Sequence, residues 1–405
     1  MNIVISPFSS PFFNFFLNLT KYLEALNHQV VFLNPDPYLS SMLRAEGMKV
    51  EKYPKTKGCE SFYQKSSPLV QQFCRLYQLK DADQVIQQKN KAFTQAKAYL
   101  QGKRPERVII WNGEMNVETD ACKELGVETF FCENGYFPNT FQANRRGVNA
   151  KSEYARLSQC DFMQFHFPQT NIPLVSLSIL EVKQSLFKRY IYRFFSAEYR
   201  HIMWQALRNN RAKKIAKKSF ENTAADTLDL ESLTNWVFFP LQVNSDTQIV
   251  LNSPYRSMYE VLDCTLPKLL KAGYQVVLKE HPEEVEPVDY GKFVDNKQVF
   301  LLKKYDIVQL IAKSNFTITV NSSVGLQAVE ASRPVVVLGE SFYMSAPNVD
   351  GLDKESELIT LVEHINPSEV QDYIHHFKNN IFIAGSWRNP TNEFLQKLCS
   401  RILAQ

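Results

Sequence analysis

The sequence predicts an α/β protein made of two Rossmann-type parallel-sheet domains, and three observations carry that expectation. A chain of 405 residues is longer than one ordinary hydrophobic core. Short apolar runs alternate with helix-length amphipathic stretches in both halves, the pattern of β-α units around a parallel sheet covered on both faces. Two of these runs, in the second half, stop abruptly in polar clusters: Lys279-Glu280-His281-Pro282 and Asn321-Ser322-Ser323-Val324-Gly325. In open α/β sheets, ligands bind where strands end in this way.

In the first half, residues 2–6 read as a strand, 12–26 as a helix, 29–33 as a strand and 38–46 as a helix. Residues 60–100 are polar, rich in Gln and Lys, and read as helical. A strand at 107–111, a helix at 118–125 and a strand at 128–132 follow. Residues 178–220 interrupt the alternation with a long helical stretch crowded with cations and rings, among them Arg189, Tyr190, Phe194, Trp204, Lys213, Lys214, Lys217 and Lys218. Such a stretch is either a solvated helix packing its rings inward or a surface, at 188–218, that docks on anionic lipid headgroups. Residues 221–233 are polar and acidic and read as a linker. Strands are then expected at 236–240, 275–278, 298–302, 316–320 and 334–338, with helices at 257–272, 305–313 and 323–332 and a last helix at 390–404. The expected domains are 1–220, which includes the basic segment, and 234–385, with a closing helix in 386–405. Two such domains facing a central cleft make a GT-B-like layout, with room for an altered strand topology.

Composition bounds the function class. Hydrophobic content of 44% with 22% charged residues is that of a soluble globular protein. A net charge of +4 is too small to imply nucleic acid. The seven cysteines, Cys59, Cys74, Cys122, Cys132, Cys160, Cys264 and Cys399, are scattered without a Cys-x-x-Cys pair. They imply reduced thiols in a cytoplasmic compartment and no zinc site. The N-terminus lacks a basic leader region, and Pro7 and Ser9-Ser10 cut its apolar run, so it reads as a first strand rather than a signal peptide. No run reaches about 18 apolar residues, so no transmembrane helix is expected.

Four constellations fall at predicted strand ends. Glu133-Asn134-Gly135-Tyr136-Phe137-Pro138 offers a carboxylate for general acid/base work on a hydroxyl, or is a turn with a surface glutamate. Gln242-Val243-Asn244-Ser245-Asp246-Thr247-Gln248 sets Asp246 among amides and hydroxyls. Asp246 there serves either as a nucleophile at an anomeric carbon or as a helix N-cap. In the Lys279-Glu280-His281-Pro282 tetrad, His281 can donate to a departing phosphate and Lys279 can pair with an anion; the alternative is a structural histidine. Asn321-Ser322-Ser323 with Gly325 suits a phosphate through hydroxyls and backbone N–H groups, or is an ordinary cap. No Asp-x-Asp metal pair stands in a suitable loop: Asp36 reads as a turn residue, and Asp81-Ala82-Asp83 lies on a polar helix.

These pieces, together with Arg146-Gly147-Val148-Asn149-Ala150, Phe239-Pro240-Leu241 and Leu326-Gln327-Ala328, resemble a known family. It is that of the bacterial capsule-polysaccharide synthesis proteins that transfer β-Kdo (3-deoxy-D-manno-oct-2-ulosonic acid). The related retaining β-Kdo transferase modules of O-antigen assembly are similar too. The resemblance spans residues 130–340. It implies a GT-B fold and a glycosyltransferase that moves Kdo from CMP-β-Kdo to a saccharide or lipid-linked glycan acceptor, without metal or other cofactor. It further implies that Asp246 forms a Kdo–enzyme adduct and that Glu133 is the acid/base near the acceptor hydroxyl. His281 and Pro282 would engage CMP, with His281 assisting its departure. Ser322 and Ser323 would bind the phosphate, and Lys279, Gln242 and Asn321 would complete the donor site. The expected place is the cytoplasm, at the inner face of the inner membrane if 188–218 docks there. The alternatives are a sialyltransferase or CDP-glycerol glycerophosphotransferase of the same layout, or a non-catalytic lipid- or glycan-binding assembly subunit.

Overall fold

The computed structural model describes the chain apart from residues 7–8, 77–80, 115, 186–187, 189–225, 245, 285–288, 296, 355, 357–364 and 405. The described residues fall into two compact units. One draws on Met1–Glu153, Phe165–Trp204 and His376–Gln405, the other on Tyr154–Gln164 and Gln205–His375.

In chain order, β1 (Asn2–Ile5), α1 (Phe13–Ala25), β2 (Gln29–Leu33), α2 (Pro37–Ala45) and β3 (Val50–Glu51) open the first unit. Then come α3 (Pro68–Leu76), α4 (Ala82–Lys103), β4 (Arg107–Trp111), α5 (Val117–Leu125), β5 (Thr129–Asn134) and β6 (Thr140–Asn144). After α6 (Gln159–Gln164), the second unit holds β7 (Trp236–Pro240), α7 (Thr247–Asn252), α8 (Met258–Lys271), β8 (Gln275–Lys279), β9 (Val299–Leu302), α9 (Ile307–Lys313), β10 (Thr317–Thr319), α10 (Ser323–Glu330), β11 (Val335–Val337), β12 (Val349–Gly351) and α11 (Pro367–His376). β13 (Ile383–Ala384) and α12 (Asn392–Leu403) end the chain. The expected fold class stands: α/β, with two parallel-dominated sheets.

The first sheet has the order β13-β6-β5-β4-β1-β2-β3, and only the pairs that involve β6 are antiparallel. Successive side chains of a strand point to opposite faces. Ile3, Ile5 and Ile109 accordingly join α1, α2 and α12 in one core, while Val4, Val108 and Ile110 join α3, α4 and α5 in another. The closing helix α12 thus packs on the first sheet. Its C-terminal carbonyls are satisfied by arginines: Arg107 donates to the Ile402 and Ala404 oxygens, and Arg145 to Ala404 O at 2.7 Å.

The second sheet, β12-β11-β10-β7-β8-β9, is parallel throughout. β7 leads outward to β8 and β9, and the chain then returns to lay β10 on the other side of β7. The crevice between the carboxyl ends of β7 and β10 is therefore the topological switch point, where such sheets hold ligands.

Several expectations need correction. Residues 60–67 are not helical; Asn90 of α4 accepts the N–H groups of Phe62 and Tyr63 there, at 2.9 and 2.6 Å. Asp36 is an N-cap, accepting Leu39 N–H. Of the stretch expected to be helical over 178–220, residues 178–185 carry no helix. Two polar ladders at helical spacing explain why. Asn14, Asn18 and Tyr22 on α1, and Asn392 and Gln396 on α12, bond to backbone groups of Ile172, Pro173, Val175, Leu177, Leu180 and Val182. Side-chain amides take the place of helix hydrogen bonds, so the segment stays irregular. The remainder of the basic segment, apart from Lys188, lies outside the described residues. Residues 226–232, expected within a linker, are tied to the second unit: Asp226 accepts the N–H groups of Lys303 and Lys304, and Glu231 pairs with Lys313 at 2.6 Å. Among the described residues, no helix is long and apolar enough to cross a membrane.

Candidate functional site

At the switch point of the second sheet, Gln242 follows β7 and Asn321 follows β10, and both are buried. Gln242 Nε2 donates to Asn321 Oδ1 (3.1 Å) and to Asp246 Oδ2 (3.2 Å), and Gln242 Oε1 accepts the Asn321 N–H (3.1 Å). Asn321 Nδ2 reaches the carbonyls of Gln248 (3.1 Å) and Glu340 (3.3 Å). Three loops are thus knitted into one polar floor. Asp246 caps α7, its Oδ1 accepting Gln248 N–H at 2.9 Å. The cap hydrogen bond and the Gln242 amide together fix the direction of its carboxylate.

The tetrad after β8 lies beside this floor. Glu284 Oε2 accepts Asn244 N–H at 2.7 Å, joining the two loops. His281 is half-buried, and burial lowers its pKa, against the pull of the Glu283, Asp246 and Glu284 carboxylates. Its Nδ1 accepts the Glu283 N–H at 3.1 Å, so in the neutral ring the proton sits on Nε2 and makes that nitrogen a donor. Lys279 is buried, with Nζ directed at the carbonyls of Glu280 (3.3 Å) and Lys303 (3.4 Å), and burial lowers its pKa. Pro282 is exposed in the turn that follows.

Ser322 caps α10, its Oγ accepting Val324 N–H at 3.2 Å, and Ser323 is exposed at the first position of that helix. The Ser322 carbonyl accepts the hydroxyl of the buried Tyr343 at 2.7 Å. A Cβ on Gly325 would collide with that same hydroxyl, so glycine is what lets the tyrosine approach. The start of α10 presents the exposed Ser323 and the positive end of a helix dipole, which favours an anion, although the N–H groups of Ser322, Val324 and Gly325 already have partners within the chain.

Glu133 belongs to the first unit. It is part of β5 rather than of the turn expected there, and it pairs with Gln142 of β6. Its Oε2 accepts Asn112 Nδ2 at 2.8 Å, and its Oε1 accepts Asn134 N and Nδ2 at 2.8 and 3.1 Å. Burial raises its pKa, partly offset by these donors. A carboxyl poised in this way can trade a proton with a hydroxyl.

The structure therefore brings Gln242, Asp246 and Asn321 into one bonded group, with His281 acting electrostatically on it and Ser322-Ser323 continuing from Asn321. Glu133 stands in a separate cluster with Asn112 and Asn134. Sequence reasoning missed Asn112, Glu284 and Tyr343. Asn112 ends a strand and precedes Gly113, the signal already used for the other motifs. Glu284 and Tyr343 act through long-range contacts that leave no local signature. Among the described residues, no group of three or more His, Cys, Asp or Glu side chains is placed to hold a metal ion.

A model of the family described as "Capsule polysaccharide biosynthesis protein" matches residues 108–387. Protein FixF of Sinorhizobium fredii is 25% identical over 239 residues, which cover 58% of this chain and 49% of that protein. The chain thus spans about half the length of this curated relative. Among solved structures, the Thermosulfurimonas dismutans KpsC beta Kdo 2,7 transferase aligns with TM-score 0.42 and 13% identity, over 92% of this chain and 89% of that one. The beta Kdo 2,4 transferase of the same KpsC gives 0.39 and 13%, over 91% and 89%. The Methanocaldococcus jannaschii UDP-GlcNAc 2-epimerase gives 0.32 and 11%, over 100% and 99%.

Proposed function

The chain belongs to the capsule polysaccharide biosynthesis protein family, and on that premise we propose that it is a retaining glycosyltransferase of GT-B layout. It moves Kdo from CMP-β-Kdo to a glycan acceptor on the cytoplasmic side. The observation that carries this is the bonded group Gln242–Asp246–Asn321 at the switch point, with His281, whose Nδ1 accepts the Glu283 N–H, on the adjoining loop.

In this reading the CMP phosphate lies at the start of α10, against the Ser322-Ser323 backbone and hydroxyls, where the helix dipole favours an anion. His281 Nε2–H donates to the departing phosphate. Asp246 attacks the anomeric carbon, the bond to CMP breaks, and CMP leaves with the electron pair. Glu133 then takes the acceptor hydroxyl's proton as its oxygen attacks that carbon, and the bond to Asp246 breaks. Two displacements give net retention. Lys279 holds the tetrad's backbone through two carbonyls and adds positive charge, and Pro282 ends the strand. With these donors meeting the leaving phosphate, transfer needs no metal and is unchanged by EDTA.

Intact-mass spectrometry tests the reading. After incubation with CMP-Kdo, the wild-type protein should carry a Kdo-sized adduct that Asp246→Ala lacks. An Asp246→Ala protein with full transfer activity would remove the mechanism. A thermal-shift panel tests the donor, since a ligand that binds the folded state raises its apparent stability. Stabilisation by CDP-glycerol and not by CMP would replace the Kdo reading with a glycerophosphate polymerase.

A further inference from the structure

The two polar loops beside the switch point are built alike. The chain leaving β7 closes a turn in which the Asp246 N–H donates to the Val243 carbonyl at 2.8 Å. The chain leaving β8 closes one in which the Glu284 N–H donates to the His281 carbonyl at 3.1 Å. β7 and β8 are parallel neighbours, with Pro240 opposite Lys279, so both turns stand at the carboxyl edge of one sheet. Asp246 ends the first turn and His281 begins the second.

One side chain joins them. Glu284 Oε2 accepts the Asn244 N–H at 2.7 Å, inside the turn that ends at Asp246, while the backbone of Glu284 is held by His281. Asn244 is fixed from its other side, because its Oδ1 accepts the Met258 N–H at the start of α8, at 3.1 Å. A carboxylate bonded to a backbone N–H makes one of the stronger hydrogen bonds. The neighbouring Glu283 is exposed, and it is its backbone N–H, not its carboxylate, that His281 Nδ1 accepts. Negative charge reaches His281 from three carboxylates, Glu283 and Glu284 on its own loop and Asp246 on the loop after β7, with Lys279 opposing them. Charge therefore does not set Glu284 apart, whereas its reach across to Asn244 does.

The first displacement needs both loops in register. Asp246 forms its bond to the anomeric carbon as the bond to CMP breaks, the electron pair leaves with the phosphate, and His281 Nε2–H donates to that phosphate. Such a step loses rate steeply when the attacking and assisting groups shift by ~1 Å. Within its own loop, Asp246 is aimed by Gln242 and the α7 cap, and His281 by the Glu283 N–H. The Glu284–Asn244 bond crosses from one loop to the other. We propose that Glu284 is a positioning residue that sets His281 against Asp246, through the reach of its carboxyl oxygen rather than through its charge. The proposal rests on the transferase reading, in which those two residues act on CMP-β-Kdo.

Rapid-quench intact-mass spectrometry on the full chain, with CMP-Kdo as the probe, measures how fast the Kdo adduct forms. Glu284→Gln keeps an oxygen at the same reach and loses the charge. It should stay within about threefold of the wild-type rate, as a neutral hydrogen bond replaces a charge-assisted one. Glu284→Asp keeps the charge and falls one methylene short. It should slow the step about tenfold or more, as should Glu284→Ala. The loss should fall on the rate at saturating CMP-Kdo and not on the concentration that gives half that rate, a split that general loosening of the fold would not produce. Glu284 is only partly buried, so the conservative pair stays folded, and Tm values taken alongside verify it. A Glu284→Asp protein as fast as the wild type, or a Glu284→Gln protein as slow as Glu284→Ala, would overturn the proposal. A wild type that forms no adduct would defeat the transferase reading and this proposal with it. A wild-type adduct that all three variants form equally fast would defeat the proposal alone.

Discussion

Gln242 and Asn321 are joined by two hydrogen bonds, side chain to side chain and backbone N–H to side chain, both at 3.1 Å, although 79 positions separate them. The pair ties the loop after β7 to the loop after β10, and the Gln242 amide also steers Asp246. Removing Gln242 leaves buried polar atoms of Asn321 without their partners. Gln242→Ala should therefore cost about 1–3 kcal/mol of stability, the desolvation penalty of groups left unpaired, and weaken CMP binding. Denaturant unfolding and CMP titration measure the two effects.

Asp246 separates folding from chemistry. Asparagine caps a helix as well as aspartate, whereas alanine loses about 1 kcal/mol. Asp246→Asn should keep the cap, forfeit only the hydrogen bond from Gln242, and lose transfer, whereas Asp246→Ala should lose transfer and the cap together. Comparing Tm with initial rates for the two proteins checks this. Matching activities in the wild type and Asp246→Asn would leave Asp246 as a cap and nothing more.

Tyr343 and Gly325 predict a non-additive pair. Gly325→Ala drives a methyl group into the Tyr343 hydroxyl, and overpacking of this sort costs about 1–3 kcal/mol. Tyr343→Phe removes the hydroxyl and the bond to Ser322 O. The double variant should be more stable than the sum of the single effects implies. A double-mutant cycle from urea unfolding reads the coupling, and strict additivity would disprove the contact.

Glu133 predicts a pH dependence. Burial raises its folded pKa above the ordinary glutamate range. The folded state then binds the proton more tightly than the unfolded chain does. The resulting stability is complete below the unfolded pKa and lost as pH rises through the folded pKa. Glu133→Gln cannot ionise, so its Tm relative to wild type should rise with pH across that window. If Glu133 is the base, the acid limb of wild-type kcat/KM should lie above the ordinary glutamate range and vanish in the variant. Parallel Tm and rate profiles test both signs.

Much of the fold could be read from local pattern. The runs around Ile109, Phe238 and Val277 became strands, and Leu17 and Leu262 fell on buried helix faces. β6, β13 and α7 did not declare themselves. β13 has two residues, and β6 pairs through a hairpin whose turn residues resemble any loop. The motif residues of the candidate site were legible because each stands at the end of an apolar strand or in the loop that follows it. Their partners Asn112, Glu284 and Tyr343 were not, because a hydrogen bond across the sheet imposes no periodicity on either residue.

By itself the sequence determined where strands end and which polar groups stand at those ends, since apolar periodicity, glycines and caps act over a few neighbouring residues. The tertiary structure alone decided which ends meet. It set Gln242 against Asn321, held Asn134 between Trp387 and Glu133, and kept 178–185 out of a helix by presenting the amides of Asn14 and Asn18. The physical reason is that a buried polar group must find a partner wherever the packed sheet brings one, and that choice depends on strand order, which no short stretch of chain encodes.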